Sequence, residues 1–324
     1  MSSTLPTTCD RQDCFVQDTQ QCAAGHMQAN KCKYFSGQDD SESLINQEDG
    51  DEGFPWTGRP LGTTDLRFIS ATQRPHVVGI AGAADAGKTT LLCLLFLNLS
   101  RGRLREKFNF AGSYTLLGWE NIAQNMQLNA GETIQFPPHT SSSGRSPGLL
   151  HLRTMYDKNR LQDSLLTDAS GEWFSAWTNN PDDERAEGAQ WVANHADRML
   201  IIADTEALTT GSSKGAAKRA LEFLIRRVQH NFGKDNVALV WTKTDFKRPK
   251  ALREEVEDIF TSCFGTAPIF DTSVPDESCN GDDKTLKQLT ELFSWAFTPK
   301  VSHVTMKLPK TDSDDPFISY RGNL

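Results

Sequence analysis

The sequence predicts a three-layer α/β domain with a mostly parallel sheet, and three observations carry this prediction. Short, continuous apolar runs recur along the chain, as in strands that are buried on both faces. These runs alternate with segments of helical periodicity, which favours strand–helix–strand units. The first apolar run ends in a glycine-rich turn that leads directly into an apolar helix.

The first half of the predicted domain contains a strand, a helix and a hairpin. Residues 76–82 (HVVGIAG) form the first buried strand. Residues 91–99 are apolar on all sides, as in a helix packed inside an α/β layer. Residues 149–155 and 161–167 are predicted to pair as a hairpin around the polar residues between them.

The second half continues the alternation of strands and helices. Residues 199–203 (MLIIA) and 237–241 (VALVW) are predicted as two buried strands. The helix between them has an apolar stripe made of Ala217, Leu221, Leu224 and Val228. Residues 268–270 are a short last strand, followed by a helix whose core face comprises Leu286, Leu289, Leu292 and Phe293.

Composition divides the 324 residues into four segments. Residues 1–35 are rich in Cys and His, residues 36–58 are an acidic linker, residues 59–297 are the α/β domain, and residues 298–324 are a tail without a clear period. The net charge of −8 gives no reason to expect nucleic-acid binding. No apolar run reaches membrane-spanning length, and the N-terminus lacks the pattern of a signal peptide. We therefore expect a cytoplasmic protein.

The glycine-rich turn at residues 82–89 (GAADAGKT) matches the P-loop pattern GxxxxGK[ST]. Its backbone N–H groups and the helix N-terminus behind them are expected to cradle phosphates. Lys88 is expected to reach the β- and γ-phosphates, and the Thr89 hydroxyl to bind Mg²⁺. The alternative is an ordinary glycine-rich turn that happens to contain Lys-Thr. The expected phosphate-binding residues are Gly82, Ala84, Asp85, Ala86, Gly87, Lys88, Thr89 and Thr90.

The motif that predicts which nucleotide base is bound is Thr242-Lys243-Thr244-Asp245. It follows a buried strand and matches the guanine-reading pattern [NT]KxD. The Asp245 carboxylate can accept hydrogen bonds from guanine N1–H and the N2 amino group. Adenine has a lone pair at N1, which would leave Asp245 unpaired. Lys243 is expected to lie along the base and brace the P-loop. The motif therefore favours GTP and GDP over ATP, the alternative that the P-loop alone leaves open.

A third motif, DxxG, is present as Asp168-Ala-Ser-Gly171 at the end of a predicted strand. Asp168 is expected to hold Mg²⁺ through a water, and the Gly171 N–H to contact the γ-phosphate. Glu172 follows, where Ras-like proteins have the glutamine that orients the attacking water. A carboxylate can accept a proton from water but cannot donate as an amide does.

Two further sites complete the predicted nucleotide pocket. Thr133 and Thr140 are candidates for the threonine that senses Mg²⁺, and we favour Thr140 because its Pro/Ser/Gly-rich surroundings are typical of a mobile loop. Arg145 in the same stretch is either a solvated charge, which we favour, or an arginine finger in cis. After the last strand, Ser273 and Val274 form a loose match to the motif that contacts the base.

Residues 75–297 resemble translation-factor and Ras-like GTPases, with the motifs in the expected order. Asp85 resembles the aspartate of elongation-factor P-loops. The Cys-rich head, VGIAGAADAGKTTLL, FAGSYTLLGWE and LLTDASGEWF more narrowly resemble the second bacterial double-GTPase family. This resemblance implies a GTPase of conflict or defence systems that switches a partner protein at its mobile loops, and the partner can be another GTPase-like protein.

The head contains four cysteines and one histidine within 24 residues: Cys9, Cys14, Cys22, His26 and Cys32. Zinc takes four thiolate or imidazole ligands, and two short pairs separated by a loop can supply them. We predict that the four cysteines bind zinc, with His26 as a substitute ligand. Free thiols and a redox disulfide remain as alternatives. Cys93, Cys263 and Cys279 are scattered, and we expect them to be packing or surface residues.

The sequence thus predicts an Mg²⁺-dependent GTPase that acts as a molecular switch and turns over slowly without a partner. The catalytic residues are expected to be Lys88, Thr140, Gly171 and Glu172. A different class of function is a GTP-binding scaffold with little or no turnover, which locks a protein assembly. Glu172 in place of glutamine keeps this alternative open.

Overall fold

The computed structural model describes residues 58–71, 73–126, 147–156, 160–274 and 283–298. A seven-stranded sheet organises these residues, with the strand order β2-β3-β4-β1-β5-β6-β7. β1 pairs in parallel with β4 and β5, and β6 and β7 continue the parallel part. β2 and β3 are antiparallel additions at one edge. The strands are β1 His76–Ala81, β2 Asn109–Gly112, β3 Gly148–Tyr156, β4 Arg160–Asp168, β5 Arg198–Asp204, β6 Val237–Thr242 and β7 Ile269–Asp271.

Helices cover both faces of the sheet, as in other α/β folds with a parallel sheet. They are α1 Leu66–Ile69, α2 Lys88–Ser100, α3 Leu116–Ala123, α4 Gly171–Asn179, α5 Glu187–His195, α6 Thr205–Thr209, α7 Lys214–Asn231, α8 Lys250–Phe264 and α9 Asp283–Phe297. Short 3₁₀ turns lie at Thr63–Asp65, Gln124–Met126, Glu184–Ala186 and Lys234–Asn236. Within the described ranges, no helix is both long and apolar enough to cross a membrane.

The central strands are buried on both faces of the sheet. Successive side chains of a strand point to opposite faces, and each face has its own apolar core. Ile80, Ile202 and Val240 pack with α2, α3 and α9 on one face. Met199 and Trp241 belong to the other core, together with α4, α5, α7 and α8. This two-sided burial explains the continuous apolar runs in the sequence of β1, β5 and β6.

A smaller apolar cluster covers the antiparallel part of the sheet. It contains Leu61 and Ile69 from the segment before β1, together with Val77, Leu149 and Leu165. Leu61 and Leu149 exchange two backbone hydrogen bonds of 2.9 and 3.0 Å. The chain that precedes β1 is therefore bound to the first residues of β3.

The predicted three-layer α/β architecture with a mostly parallel sheet is confirmed for the described residues. β3 and β4 form the expected hairpin, α2 contains the segment predicted as a helix that is apolar on all sides, and α7 and α9 contain the two predicted apolar stripes. β7 covers residues 269–271 rather than 268–270. The Cys-rich head, most of the acidic linker and the tail after Thr298 lie outside the described residues.

Candidate nucleotide-binding site

The glycine-rich turn connects β1 to α2 and has the backbone geometry that its sequence predicts. Asp85 and Gly87 have positive φ values of 59° and 86°, so the turn uses two left-handed positions. Gly87 is the N-cap of α2, and the Leu91 N–H donates to its carbonyl at 2.9 Å. The turn therefore lies at the N-terminal end of a thirteen-residue helix, where backbone N–H groups and the helix dipole favour anions.

Lys88 is buried beneath this turn, with 7% of its surface exposed. Its Nζ donates hydrogen bonds to the Gly82 and Ala83 carbonyls, at 3.2 and 2.6 Å. Burial lowers the pKa of Lys88 to about 8, although the negative charges of Asp168 and Asp85 act in the opposite direction. The ammonium group is therefore held under the turn, and its proton is more easily lost than that of an exposed lysine.

Thr89 and Asp168 bring the first turn of α2 to the end of β4. The Thr89 hydroxyl donates to the Asp168 carboxylate at 2.9 Å. A hydroxyl and a carboxylate are hard oxygen donors, which is the kind of ligand that Mg²⁺ prefers. Among the described residues, no group of three or more His, Cys, Asp or Glu side chains is arranged to hold a metal ion.

Gly171, the first residue of α4, lies directly against the P-loop backbone. A Cβ atom at this position would be 2.1 Å from the Ala84 nitrogen and 2.3 Å from the Ala83 carbonyl carbon. Only glycine allows such an approach. Ser170 caps the helix by accepting the Glu172 N–H at 3.4 Å, and the Glu172 side chain is exposed. The DxxG motif and the P-loop thus form one contiguous surface.

Thr242 joins the predicted base-binding loop to the P-loop. Its hydroxyl donates to the Ala86 carbonyl at 2.8 Å, and both groups are buried. Lys243 follows with a positive φ of 52°. Its ammonium contacts Asp204 at 2.9 Å and Glu206 at 2.8 Å. From its sequence, Lys243 is expected to brace the P-loop, whereas in the structure the hydrogen bond to the P-loop comes from Thr242.

The two acidic partners of Lys243 were missed by sequence reasoning. Asp204 ends β5 and also caps α6 by accepting the Ala207 N–H at 3.2 Å. Burial of the Lys243 ammonium lowers its pKa, but the hydrogen bonds that it donates to Glu206 and Asp204 outweigh this effect and raise the pKa overall. The sequence does contain a signal for Asp204, which is an acidic residue at the end of a buried strand. Ligands of α/β proteins bind beyond the carboxyl ends of such strands.

The last predicted motif lies beside the base-binding loop. The Thr244 N–H and hydroxyl both donate to the Thr272 carbonyl, at 3.3 and 3.2 Å. Ser273 is half-buried, Val274 packs against the core, and Asp245 is exposed. The structure therefore brings Asp245, Ser273 and Val274 to neighbouring loops.

Several predicted site residues lie outside the described residues. They are Thr133, Thr140, Arg145, Cys9, Cys14, Cys22, His26 and Cys32. The described remainder, from Gly82 to Val274, comes together at the carboxyl ends of β1, β4, β6 and β7. Cys93 is buried and Cys263 is half-buried, as expected for packing and surface residues.

A family model described as Double-GTPase 2 matches residues 76–296, more than half of the chain. One solved structure that matches is the Arl6 BBS3 small GTPase from Trypanosoma brucei with bound nucleotide analogue GppNp, at 14% identity and a TM-score of 0.33. That match covers 69% of this chain and 99% of the other. No curated protein matches the sequence.

Proposed function

The chain belongs to the Double-GTPase 2 family of P-loop GTPases, and we propose that it binds GTP with Mg²⁺, hydrolyses it and thereby switches a partner protein. The observation that carries this proposal is the 2.8 Å hydrogen bond from the Thr242 hydroxyl to the Ala86 carbonyl. It joins the loop that would read the base to the loop that would hold the phosphates, so both parts of one nucleotide can be bound at once.

The phosphate end of the nucleotide would be held by the P-loop. The N–H groups of residues 84–90 would cradle the phosphate oxygens, and Lys88 would neutralise part of their charge. Thr89 and Asp168 would hold Mg²⁺, together with Thr140. When bound, Mg²⁺ neutralises charge on the β- and γ-phosphates. The Gly171 N–H, beside the P-loop, would sense the γ-phosphate.

The base end would be read by Asp245, whose exposed carboxylate can accept two hydrogen bonds from guanine. Lys243 would lie along the base, and Ser273 and Val274 would approach it from the neighbouring loop. Of these contacts, the one with Asp245 would favour guanine over adenine, because adenine has no N1–H and no 2-amino group to donate.

Hydrolysis would depend on Glu172 and on a positive charge near the γ-phosphate. Glu172 is exposed at the start of α4, where its carboxylate can accept a proton from a water. Stabilising the transition-state charge by an arginine is worth about 10³–10⁵ in rate in related enzymes. Arg145 or an arginine of the partner would supply that charge, and without it turnover would be slow.

The partner would contact the loops that change on hydrolysis, around Thr140 and residues 168–171. The partner would be a protein of a bacterial defence system and can be GTPase-like itself, which is what the resemblance to double-GTPases implies. The Cys-rich head would bind zinc through Cys9, Cys14, Cys22 and Cys32. Its acidic tether would keep the head attached to the GTPase domain in the cytoplasm.

Nucleotide competition tests the proposed base specificity. Wild-type protein should prefer GTP to ATP by a wide margin, because adenine cannot satisfy Asp245. Asp245→Asn should shift preference toward xanthine nucleotides, since the amide can donate to the additional carbonyl of xanthine. Equal affinity of the wild type for ATP and GTP would contradict the proposal.

Single-turnover hydrolysis separates the switch from a scaffold that binds GTP without turnover. The exposed carboxylate of Glu172, in the position of a catalytic glutamine, is the observation that favours the scaffold. We expect the isolated chain to turn over less than about once per minute. Glu172→Gln should change this rate, and Arg145→Ala should abolish it only if the arginine acts in cis. Tight GTP binding with no hydrolysis in any variant or with any partner would support the scaffold.

A further inference from the structure

An ion pair lies beside the predicted base-binding loops. Asp271 ends β7 and accepts hydrogen bonds from two arginines. Arg248 Nη2 is 3.0 Å from Asp271 Oδ1, and Arg253 Nη1 is 3.3 Å from Asp271 Oδ2. Arg248 belongs to the loop that carries Asp245, whereas Asp271 leads into the loop that carries Ser273 and Val274.

Arg248 is held more firmly than an ordinary surface arginine. Its side chain is 11% exposed, and its guanidinium carbon lies 4.3 Å from the centroid of the Trp241 ring. Trp241 is fully buried and directly precedes Thr242. A planar guanidinium can stack on an aromatic ring and donate to a carboxylate at the same time. The geometry of this arginine is thus fixed from two directions.

Main-chain bonds join the same two loops. The Thr272 N–H and hydroxyl both donate to the Trp241 carbonyl, at 2.7 and 2.9 Å. Thr244 donates twice to the Thr272 carbonyl. These bonds fix the loops next to the strands, and the Arg248–Asp271 pair ties them together three residues beyond Asp245. Since Asp245 is exposed, its orientation depends on how its main chain is held.

We propose that Arg248 and Asp271 are positioning residues for guanine specificity: their ion pair, packed on Trp241, holds the Asp245 loop in the orientation that lets its carboxylate accept both guanine hydrogen bonds. The inference rests on the proposed GTP site and adds residues that determine its selectivity. If this loop moved, the P-loop would still bind the phosphates, but the Asp245 carboxylate would no longer be placed to accept the hydrogen bond from the guanine 2-amino group.

The ratio of IDP to GDP dissociation constants measures that second hydrogen bond, because inosine differs from guanosine only by lacking the 2-amino group. We expect the wild type to prefer GDP to IDP. Arg248→Ala and Asp271→Asn should each lower this preference about tenfold, as expected for a lost hydrogen bond to a charged group. Arg248→Lys should restore part of it, because a lysine keeps the charge but not the planar fork.

Arg226→Ala is the matched control, because it removes an arginine from an exposed pair with Glu222 on α7. It should leave the GDP-to-IDP preference unchanged.

The contradicting outcome is an unchanged ratio. If Arg248 had a merely structural role, its loss would weaken the binding of GDP and IDP equally and leave the ratio of their dissociation constants intact, which would overturn the inference. If Arg248→Ala does not fold, the ratio is measured instead in Asp271→Asn, where the full decrease is expected, and in Arg248→Lys, where a smaller decrease is expected. If the wild type prefers GTP to ATP but no variant changes the ratio, only this inference fails. Equal binding of ATP and GTP would remove the proposed function as well.

Discussion

At the scale of single residues, the site combines groups whose environments differ sharply. Lys88 is buried against two carbonyl groups, whereas Asp245 and Glu172 are exposed. Burial disfavours the charged form of a lysine unless an anion compensates. A phosphate ligand would supply that compensation, so protonation of Lys88 and nucleotide binding should be linked.

The first prediction concerns the pH dependence of binding. The pKa of Lys88 is about 8, so the amine becomes neutral above that pH and loses its attraction for phosphate. GDP affinity should therefore fall between pH 8 and 9, by no more than about tenfold per pH unit. Lys88→Arg is the control, because arginine keeps its charge in this pH range. We expect it to bind GDP less tightly, and any pH dependence that remains in this variant would come from titration of the guanine base. Parallel pH profiles for the two proteins would show that Lys88 does not titrate in this range.

The second prediction concerns Gly171. The methyl group of Gly171→Ala would collide with the Ala84 nitrogen. This atom belongs to the backbone of the P-loop and not to a flexible side chain that could move aside. Overpacking of this kind costs about 1–3 kcal/mol. We expect a lower melting temperature and GTP affinity reduced about tenfold or more. Gly215→Ala is the control, because a Cβ there meets no atom within 4 Å. Equal behaviour of the two variants in melting and GTP titration would disprove the close contact.

At the scale of elements, the β3–β4 hairpin depends on a buried charged group. Asp163 on β4 is 1% exposed and accepts hydrogen bonds from His151 at 2.9 Å and from Arg153 at 2.6 and 2.9 Å. His151 Nδ1 accepts the Tyr114 N–H at 3.0 Å, so its Nε2 carries the proton that is donated to Asp163. Gln73, from the segment before β1, donates to the same carboxylate. One carboxylate therefore connects three segments of the chain.

The third prediction follows from the pKa of Asp163. Burial raises this pKa, but hydrogen bonds from His151, Arg153 and Gln73 outweigh burial and hold it well below its ordinary value. The carboxylate therefore stabilises the fold above about pH 4, and this contribution is lost as the pH falls further. Asp163→Asn should reduce the free energy of unfolding at pH 7 by about 3–5 kcal/mol.

Denaturant unfolding at several pH values checks this prediction. The difference between wild type and Asp163→Asn should shrink below about pH 4, because the carboxylate then takes up a proton in the unfolded wild type while it stays ionised in the folded protein. Glu254→Gln removes one partner of an exposed pair with Lys250 and should have little effect at any pH. A difference that stayed constant down to pH 2 would argue against an ionised, buried Asp163.

At the scale of the whole molecule, strand order brings distant motifs to one edge of the sheet. The chain runs from β1 to β4 on one side and then continues to β5 on the other, so β1 is the point where the order reverses. Ligands of open α/β sheets bind at such a point, beyond the carboxyl ends of the strands. The P-loop follows β1 at this place, with DxxG and the base-binding loops on either side.

The fourth prediction extends to the full chain. If the four head cysteines bind zinc, metal analysis should give about one zinc per chain. Cys9→Ser combined with Cys14→Ser should remove most of it. Cys263→Ser, at a half-buried position of α8, should retain the metal. GTP affinity should be equal in all three proteins, because the proposed nucleotide site uses only residues between 82 and 274. Purified wild type without metal would disprove the zinc site.

The sequence by itself determined the buried strands, the P-loop and the order of the GTPase motifs, because these depend on neighbouring residues. A strand that is buried on both faces has a continuous apolar run, and a turn that wraps a phosphate needs glycines at fixed spacing. β2 has no such signal: three of its four residues are exposed at the sheet edge, so no burial pattern marks it.

Only the tertiary structure decided which distant side chains meet at the site. Lys243 contacts Asp204 and Glu206, and Arg248 contacts Asp271, across separations of 23 to 39 residues. Such contacts are made when parallel strands place their carboxyl ends side by side, so a local pattern can mark one residue of a pair but cannot identify the residue that it contacts. Residues close together in the sequence form the motifs, whereas the pairing of the strands determines which distant side chains contact them.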